Sequence, residues 1–268
     1  MVHTKTSLFF AVTVSLLPAL TTALVGIDWK VSNVPESGLT DIGFPFSIAN
    51  APHERVYYFA QQFQFKGQSD VGYTGLQPQL DATSDGLKIP FIRAVFSSFI
   101  NGSTTTDPNC HDGADGGPGV SCGVYFFAPY ADYFVLEIRN TQGTTWNGTV
   151  VDTHTTRRFH IGSYTLPAGT EGITKSQGGF IENFVPPFDC PSLHRTSVTF
   201  GIPVTSNPGS ARSLSDAYQY GDCTGKMGFE SHRTLEGVEV TVGFKTAESL
   251  WTLQRIAKSI FSSSWSGL

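Results

Sequence analysis

The segment "RVYYFAQQFQFKG", Arg55 to Gly67, restricts the fold more than any other. In an extended chain Tyr57, Phe59, Phe63 and Phe65 share one side, and Tyr58, Gln62 and Gln64 share the other. A period of two over this length is a half-buried strand. After the turn at Gly67–Asp70, "VGYTGLQPQL" supplies a hairpin partner, and "PFIRAVFSSFI" reads as a third strand with a mostly apolar pattern. In "VYFFAPYADYFVLEIRN", Phe134, Leu136 and Ile138 point one way, while Tyr133, Val135, Glu137 and Arg139 point the other. "TTWNGTVVDT", "RRFHIGSYTLP", "GGFIENFV", "RTSVTFGIPV" and "EGVEVTVGFK" continue the series, punctuated by Gly, Pro and Asn. In the last of these, Val238, Val240, Val242 and Phe244 are expected to face inward.

No helical pattern separates these strands. The expected fold is all-β, an antiparallel two-sheet jelly-roll-like sandwich. One C-terminal α-helix is expected over 247–261, where Leu250, Leu253, Ala257 and Ile260 recur at helical spacing behind Thr246 as N-cap.

The first residues read as an export signal. Lys5 gives a positive start, Leu8 to Leu20 is a short apolar run, and Thr21 and Ala23 fit a cleavage site. The expectation is a signal peptide over 1–23 and a single β-sandwich domain over 24–268, secreted to the extracellular space. The formal net charge is −5 with no basic cluster, which argues against nucleic acid and against an anionic membrane surface. The 4 cysteines suggest two disulfides in such a chain. Three pairings are open; nearness favours Cys110–Cys122 and Cys190–Cys223. Sequons at Asn101 and Asn147 place those stretches at the surface and make the chain a candidate glycoprotein.

The loop "CHDGADGGPGVSC" offers His111, Asp112 and Asp115 as candidate ligands for Ca²⁺. Its spacing lacks the full ladder of an EF-hand, and a disulfide-closed, glycine-rich turn is the simpler reading. No other cofactor is expected. "GxSxG", "HExxH" and "GxxxxGK[ST]" are absent, which removes the usual signatures of a serine-hydrolase elbow, a zinc protease and a phosphate loop. Glu137, Glu182 and Asp152 are candidate carboxylates for a glycosidase pair. Ordinary cross-strand pairing of Glu137 with Arg139 or Arg158 is the alternative.

Tyr58, Gln62, Tyr73 and Gln77 lie on the polar faces of one hairpin, and Tyr133, Glu137 and Arg139 form a similar set. Tyr and Gln in place of Lys and Glu suit sugar recognition, where aromatic faces combine with convergent amides and carboxylates.

The strings "YYFAQQFQFKGQSDVGYTGLQPQ", "AVFSSF", "CHDGADGGPGVSC", "WNGTVVDT" and "HIGSY" together resemble a family of secreted bacterial and fungal proteins catalogued as a domain of unknown function. The resemblance spans Val56 to Phe184 and implies an extracellular β-sandwich; it brings no agreed catalytic residues.

The expected function is binding of extracellular carbohydrate through Tyr58, Gln62, Tyr73, Gln77, Tyr133, Glu137 and Arg139. The enzyme alternative is a polysaccharide-active hydrolase or lyase with Glu137 as acid or base. A third reading is a secreted, effector-like interaction protein without catalysis.

Overall fold

A computed structural model of the protein describes residues 22–185 and 189–245. Strands are numbered in chain order. The large sheet has nine strands in the order β15 (Arg212–Leu214), β1 (Thr22–Val31), β13 (Ser176–Asn183), β3 (Tyr57–Gln64), β4 (Val71–Pro78), β7 (Phe91–Ser98), β9 (Gly117–Phe127) and β8 (Cys110–Ala114), with β16 (Tyr218–Gln219) also pairing with β1. The second sheet has seven: β12 (Arg158–Thr165), β11 (Thr145–Asp152), β10 (Tyr133–Gln142), β2 (Asp41–Ser47), β14 (Thr196–Gly201), β18 (Gly237–Val242) and β17 (Glu230–Arg233). A small hairpin of β5 (Ala82–Ser84) and β6 (Leu87–Ile89) stands apart. The pairings within both sheets are antiparallel. This meander-rich order accounts for the sandwich but not specifically for a jelly roll.

The alternation seen in the sequence sets which side of each strand is buried. Tyr57, Phe59, Phe63 and Phe65 from the large sheet meet Phe134, Leu136 and Ile138 from the second, all fully buried. Aromatic pairs bridge the layers: Trp29 on β1 lies edge-on to Phe44 on β2 at 5.4 Å, and Phe96 on β7 stacks on Tyr164 of β12 at 4.4 Å. Each large side chain removed from water contributes roughly 1.5–3 kcal/mol, and ring pairing adds to that. These bridges fix the spacing of the sheets and hence the position of both outer faces.

Phe244 does not continue the inward face of Val238, Val240 and Val242. Gly243 takes a positive φ of 83°, the chain turns out of β18, and Phe244 is exposed and bridges His194. β1 already begins at Thr22, so the expected signal-peptide boundary after Ala23 falls inside the first strand. The expected helix over 247–261 lies outside the described residues. Among the described residues no helix is long and apolar enough to cross a membrane.

Both disulfides pair as nearness suggested, Cys110–Cys122 and Cys190–Cys223, which fits a protein of an oxidising, extracellular compartment.

Candidate functional site

The seven expected site residues divide between two faces on opposite sides of the sandwich. Tyr58, Gln62, Tyr73 and Gln77 share the outer face of the large sheet. Tyr133, Glu137 and Arg139 lie on the outer face of the second sheet, in β10. Alternation separates inside from outside but carries no label for the sheet.

On the second sheet, Glu137 lies opposite Gly43 and Thr149 and forms an ion pair with Arg158. Arg139 lies between Asp41 and Asn147. A shallow depression of about 200 Å³ runs past Asp41, Gly43, Glu137, Arg139, Val204 and Ser206. Asp41 is already engaged, accepting from the backbone N–H and hydroxyl of Ser206. Burial, then the charge of Glu236, raises the Tyr133 hydroxyl to about 12. The carboxylate expected to act as acid or base is thus held by a cation on an open surface.

The large sheet offers a denser arrangement. Its register aligns Glu182 (β13) with Tyr58 (β3) and Gln77 (β4) with Arg93 (β7), which in turn faces Tyr125 (β9). Tyr58 falls opposite Gln77, one step beyond the Phe59–Leu76 pair. One row of polar and aromatic side chains therefore crosses five strands. Arg93 donates to Gln77 Oε1 at 2.8 Å and sits over the Tyr125 ring, 5.8 Å from its centroid. A second row places Gln62 beside Tyr73, and Tyr73 beside Ser97 and Ser121.

Small residues between the rows let the larger ones lie down. A Cβ on Gly75 would come within 2.7 Å of the Tyr58 ring, and one on Gly123 within 2.9 Å of the Arg93 guanidinium. Tyr58 and Tyr73 meet edge to face at 5.4 Å, and Phe180 closes on both. Both tyrosines are consequently buried, at 4% and 8% exposure, and neither presents a free ring face. The rings that do face solvent were not singled out in the sequence. Tyr125 and Phe127, about half exposed, stack on either side of Phe91. At the opposite margin Tyr218 and Tyr220 lie 6.2 Å apart, and the Tyr218 hydroxyl donates to Asp28.

The stapled loop is the β8–β9 hairpin. Cys110 and Cys122 are directly opposite in its register, and Asp115 and Gly116 turn the tip with positive φ, as a two-residue hairpin turn requires. The tip folds toward the Tyr58 face, where the Tyr73 hydroxyl donates to Asp115 at 3.1 Å. His111 and Asp112 stay exposed, with His111 Nδ1 3.1 Å from the Asp112 carbonyl. Among the described residues no group of three or more His, Cys, Asp or Glu is placed to hold a metal; Asp115 serves a tyrosine instead.

Burial is the largest influence on Tyr58, followed by Tyr73, Glu182 and Asp115, and together they push its hydroxyl well above the ordinary range. Burial and then Asp115 do the same to Tyr73. The Tyr58 Oη is buried without a hydrogen-bond partner. Perturbed, desolvated tyrosines beside two carboxylates mark a candidate site, and Glu182 and Asp115 are the carboxylates this face brings together. Of the sequons, Asn101 lies in an exposed turn, whereas Asn147 is half-buried in β11 and bonds weakly to Thr149 at 3.4 Å.

No family model matches the chain, and no curated protein matches it. Among solved structures, it is similar to scytalido-glutamic peptidase with a peptide-based transition-state analogue, at TM-score 0.44 and 11% identity over 84% of this chain and 100% of that one. It is similar to SCP-B, a member of the eqolisin family of peptidases in complex with the tripeptide Ala-Ile-His, at TM-score 0.41 and 10% identity, again over 84% and 100%. A third similarity is to the CBM2 module of the evolved Dit of Lactobacillus casei BL23 phage J-1, at TM-score 0.26 and 11% identity over 60% of this chain and 70% of that one. At these scores the similarities assign no role to any residue of this chain.

Proposed function

We propose that the protein is a secreted carbohydrate-binding protein and that its ligand lies across the outer face of the large sheet. One observation carries this reading: a band of aromatic and polar side chains crosses that face at right angles to the strands. It runs from Tyr218 and Tyr220 through Glu182, Tyr58, Gln77 and Arg93 to Tyr125. Six strand spacings separate Tyr218 on β16 from Tyr125 on β9, about 29 Å at ~4.8 Å each. That length suits several units of a polymer better than one small molecule. Half-exposed rings at both margins would take sugar faces, and the amide, guanidinium and carboxylate between them would orient hydroxyls.

Affinity electrophoresis on a polysaccharide panel tests this. Retardation by at least one glycan is expected, and Tyr125→Ala and Tyr218→Ala should each reduce it. Unchanged migration with every glycan would remove the reading.

The hydrolase reading also keeps one supporting observation, the presence of Glu182 and Asp115 beside the same two tyrosines. On that reading, reducing ends accumulate with wild type and vanish with Glu182→Gln, while Glu137→Gln has no effect.

A further inference from the structure

β9 is paired on both sides along only part of its length. β8 pairs with it from Gly117 to Cys122, and the Gly123 N–H still donates to the Asn109 carbonyl. Before Asn109 the chain runs along β12 of the second sheet, through the Thr104–Thr165 bridge and the bond from the Thr105 hydroxyl to the Ser163 carbonyl. β8 therefore cannot continue. β7 pairs with its own side of β9 through to Phe127. Among the described residues, no strand or bridge pairs with the far side from Val124 to Phe127.

Backbone groups alternate in direction along a strand. Gly123 points its N–H toward β8, so Tyr125 and Phe127 turn N–H and C=O the same way, into the open edge. Their side chains stand on the outer face, 49% and 48% exposed. Sheet edges are normally guarded by Lys, Pro, a bulge or a covering loop. The run Val-Tyr-Phe-Phe has no charge, no Pro and high strand propensity. An edge of this composition is one that another strand covers.

A second copy of the same strand fits it. Two copies of one strand laid antiparallel are related by a two-fold axis, which makes the contact self-complementary. With that axis at Phe126, Tyr125 of each copy lies opposite Phe127 of the other, and each such pair exchanges both ladder hydrogen bonds. Each half-exposed ring gains an aromatic cross-strand neighbour, which extends the stack of Tyr125, Phe91 and Phe127. Charge agrees. The chain carries a formal net charge of −5, yet residues 123–127 hold no carboxylate, ammonium or guanidinium for the axis to bring against its own copy. A strongly charged peptide would find no counter-charge on this strand.

We propose that the protein forms a two-fold dimer through β9, with Tyr125 of each copy paired to Phe127 of the other. The ladder is short, so the association is weak and concentration-dependent. This inference goes beyond the carbohydrate reading, which concerns a single chain, and does not rest on it.

Sedimentation velocity of the full chain over a concentration series tests it. A monomer–dimer equilibrium that stops at the dimer is expected, because a two-fold contact closes on itself. Phe127→Lys should weaken it by about tenfold or more, the effect of losing one aromatic anchor. The melting temperature of the dilute protein should stay unchanged, since the side chain is half exposed. The register has its own readout. Directly opposed positions lie about 5.5 Å apart at Cα, within disulfide reach. Tyr125→Cys and Phe127→Cys, purified separately and mixed under mild oxidation, should cross-link faster than either variant alone.

A monomer at every concentration overturns the inference, and so does association that continues past the dimer. An unchanged dissociation constant in Phe127→Lys overturns it as well, as does faster cross-linking of either cysteine variant with itself. None of these outcomes alters the glycan retardation expected above.

Discussion

Tyr73, in the middle of the large sheet, donates its hydroxyl to both carboxylate oxygens of Asp115, at 3.1 and 3.3 Å. The bond ties a hairpin tip to the sheet 42 positions earlier in the chain. Tyr73→Phe should cost about 1 kcal/mol, the usual net value of such a bond, and the loss should be local. Amide exchange at Gly113 to Gly117 should accelerate while β3 and β13 keep their protection. Unchanged exchange at the tip would show that Asp115 does not anchor the hairpin.

The aromatic bridges predict where truncation is expensive. Phe96 is fully buried between Phe63 and Tyr164, so Phe96→Ala should cost about 3–5 kcal/mol. Leu235 is fully exposed, and Leu235→Ser should stay within about 0.5 kcal/mol. Urea denaturation of the two variants gives the comparison.

Acid should destabilise the fold through particular carboxylates. Burial works to raise the Asp107 pKa, but hydrogen bonds from the Asn109 backbone, His160 and Ser163 outweigh it and hold the carboxyl below its ordinary value. His160 Nε2 lies 2.5 Å from Asp107 and the Ser163 hydroxyl 3.0 Å. Asp152 is likewise lowered: burial opposes, while Thr155 and the His154 backbone prevail. A folded pKa below the unfolded one contributes stability that is full above the unfolded value. That stability is lost as pH falls through the folded value. Asp107→Asn should therefore lower the melting temperature at neutral pH and flatten its decline in acid. A parallel decline in wild type and variant would contradict this assignment.

Asp132 behaves in the opposite sense. Burial first, and then the neighbouring Asp152 charge, raise its pKa. A raised carboxyl costs nothing below its unfolded pKa and reaches its full cost above the folded one. Asp132→Asn should raise the melting temperature at neutral pH and change it little in strong acid. A loss of stability at both pH values would mean that the carboxylate makes contacts the amide cannot replace.

The two disulfides should contribute unequally. Cys110–Cys122 spans 12 positions and Cys190–Cys223 spans 33, which the chain-entropy relation converts to about 3 and about 4 kcal/mol. Paired Cys→Ser variants should rank in that order by denaturant midpoint. The reverse order would make native-state packing decisive, and Gly162 against the Cys110–Cys122 bridge is where that packing lies.

The sequence carried the inward faces well. Tyr57, Phe59 and Phe63 in β3 and Phe134, Leu136 and Ile138 in β10 alternate inward, with Gln61 as a buried polar exception, and burying that side is the dominant gain on folding. It carried the outer faces only in part. Tyr58 and Tyr133 have the same local pattern, and nothing within either strand says that they belong to different sheets; that follows from long-range pairing. Glu137 pairs with Arg158, a residue from strand β12 whose position across β11 from β10 no local pattern reveals. Asp115 was noticed as a metal ligand because of its neighbours in sequence, whereas its partner in space is Tyr73. Arg93 and Tyr125 alternate outward in their own segments, but their alignment with Gln77 and Tyr58 depends on the register of four strands.

The glycines beneath Tyr58 and Arg93 have a thermodynamic consequence. Each provides a hollow in the sheet that receives the flat group beside it, so neither side chain swings freely above the surface. Their rotational freedom is lost when the chain folds. A ligand meeting this face then has less ordering to impose, and more of each contact it makes remains as affinity. A methyl group at Gly123 would lift the Arg93 guanidinium out of its seat and return that cost to the binding step, whereas one at Gly75 would first meet the Phe59 carbonyl of the paired strand, 2.1 Å away.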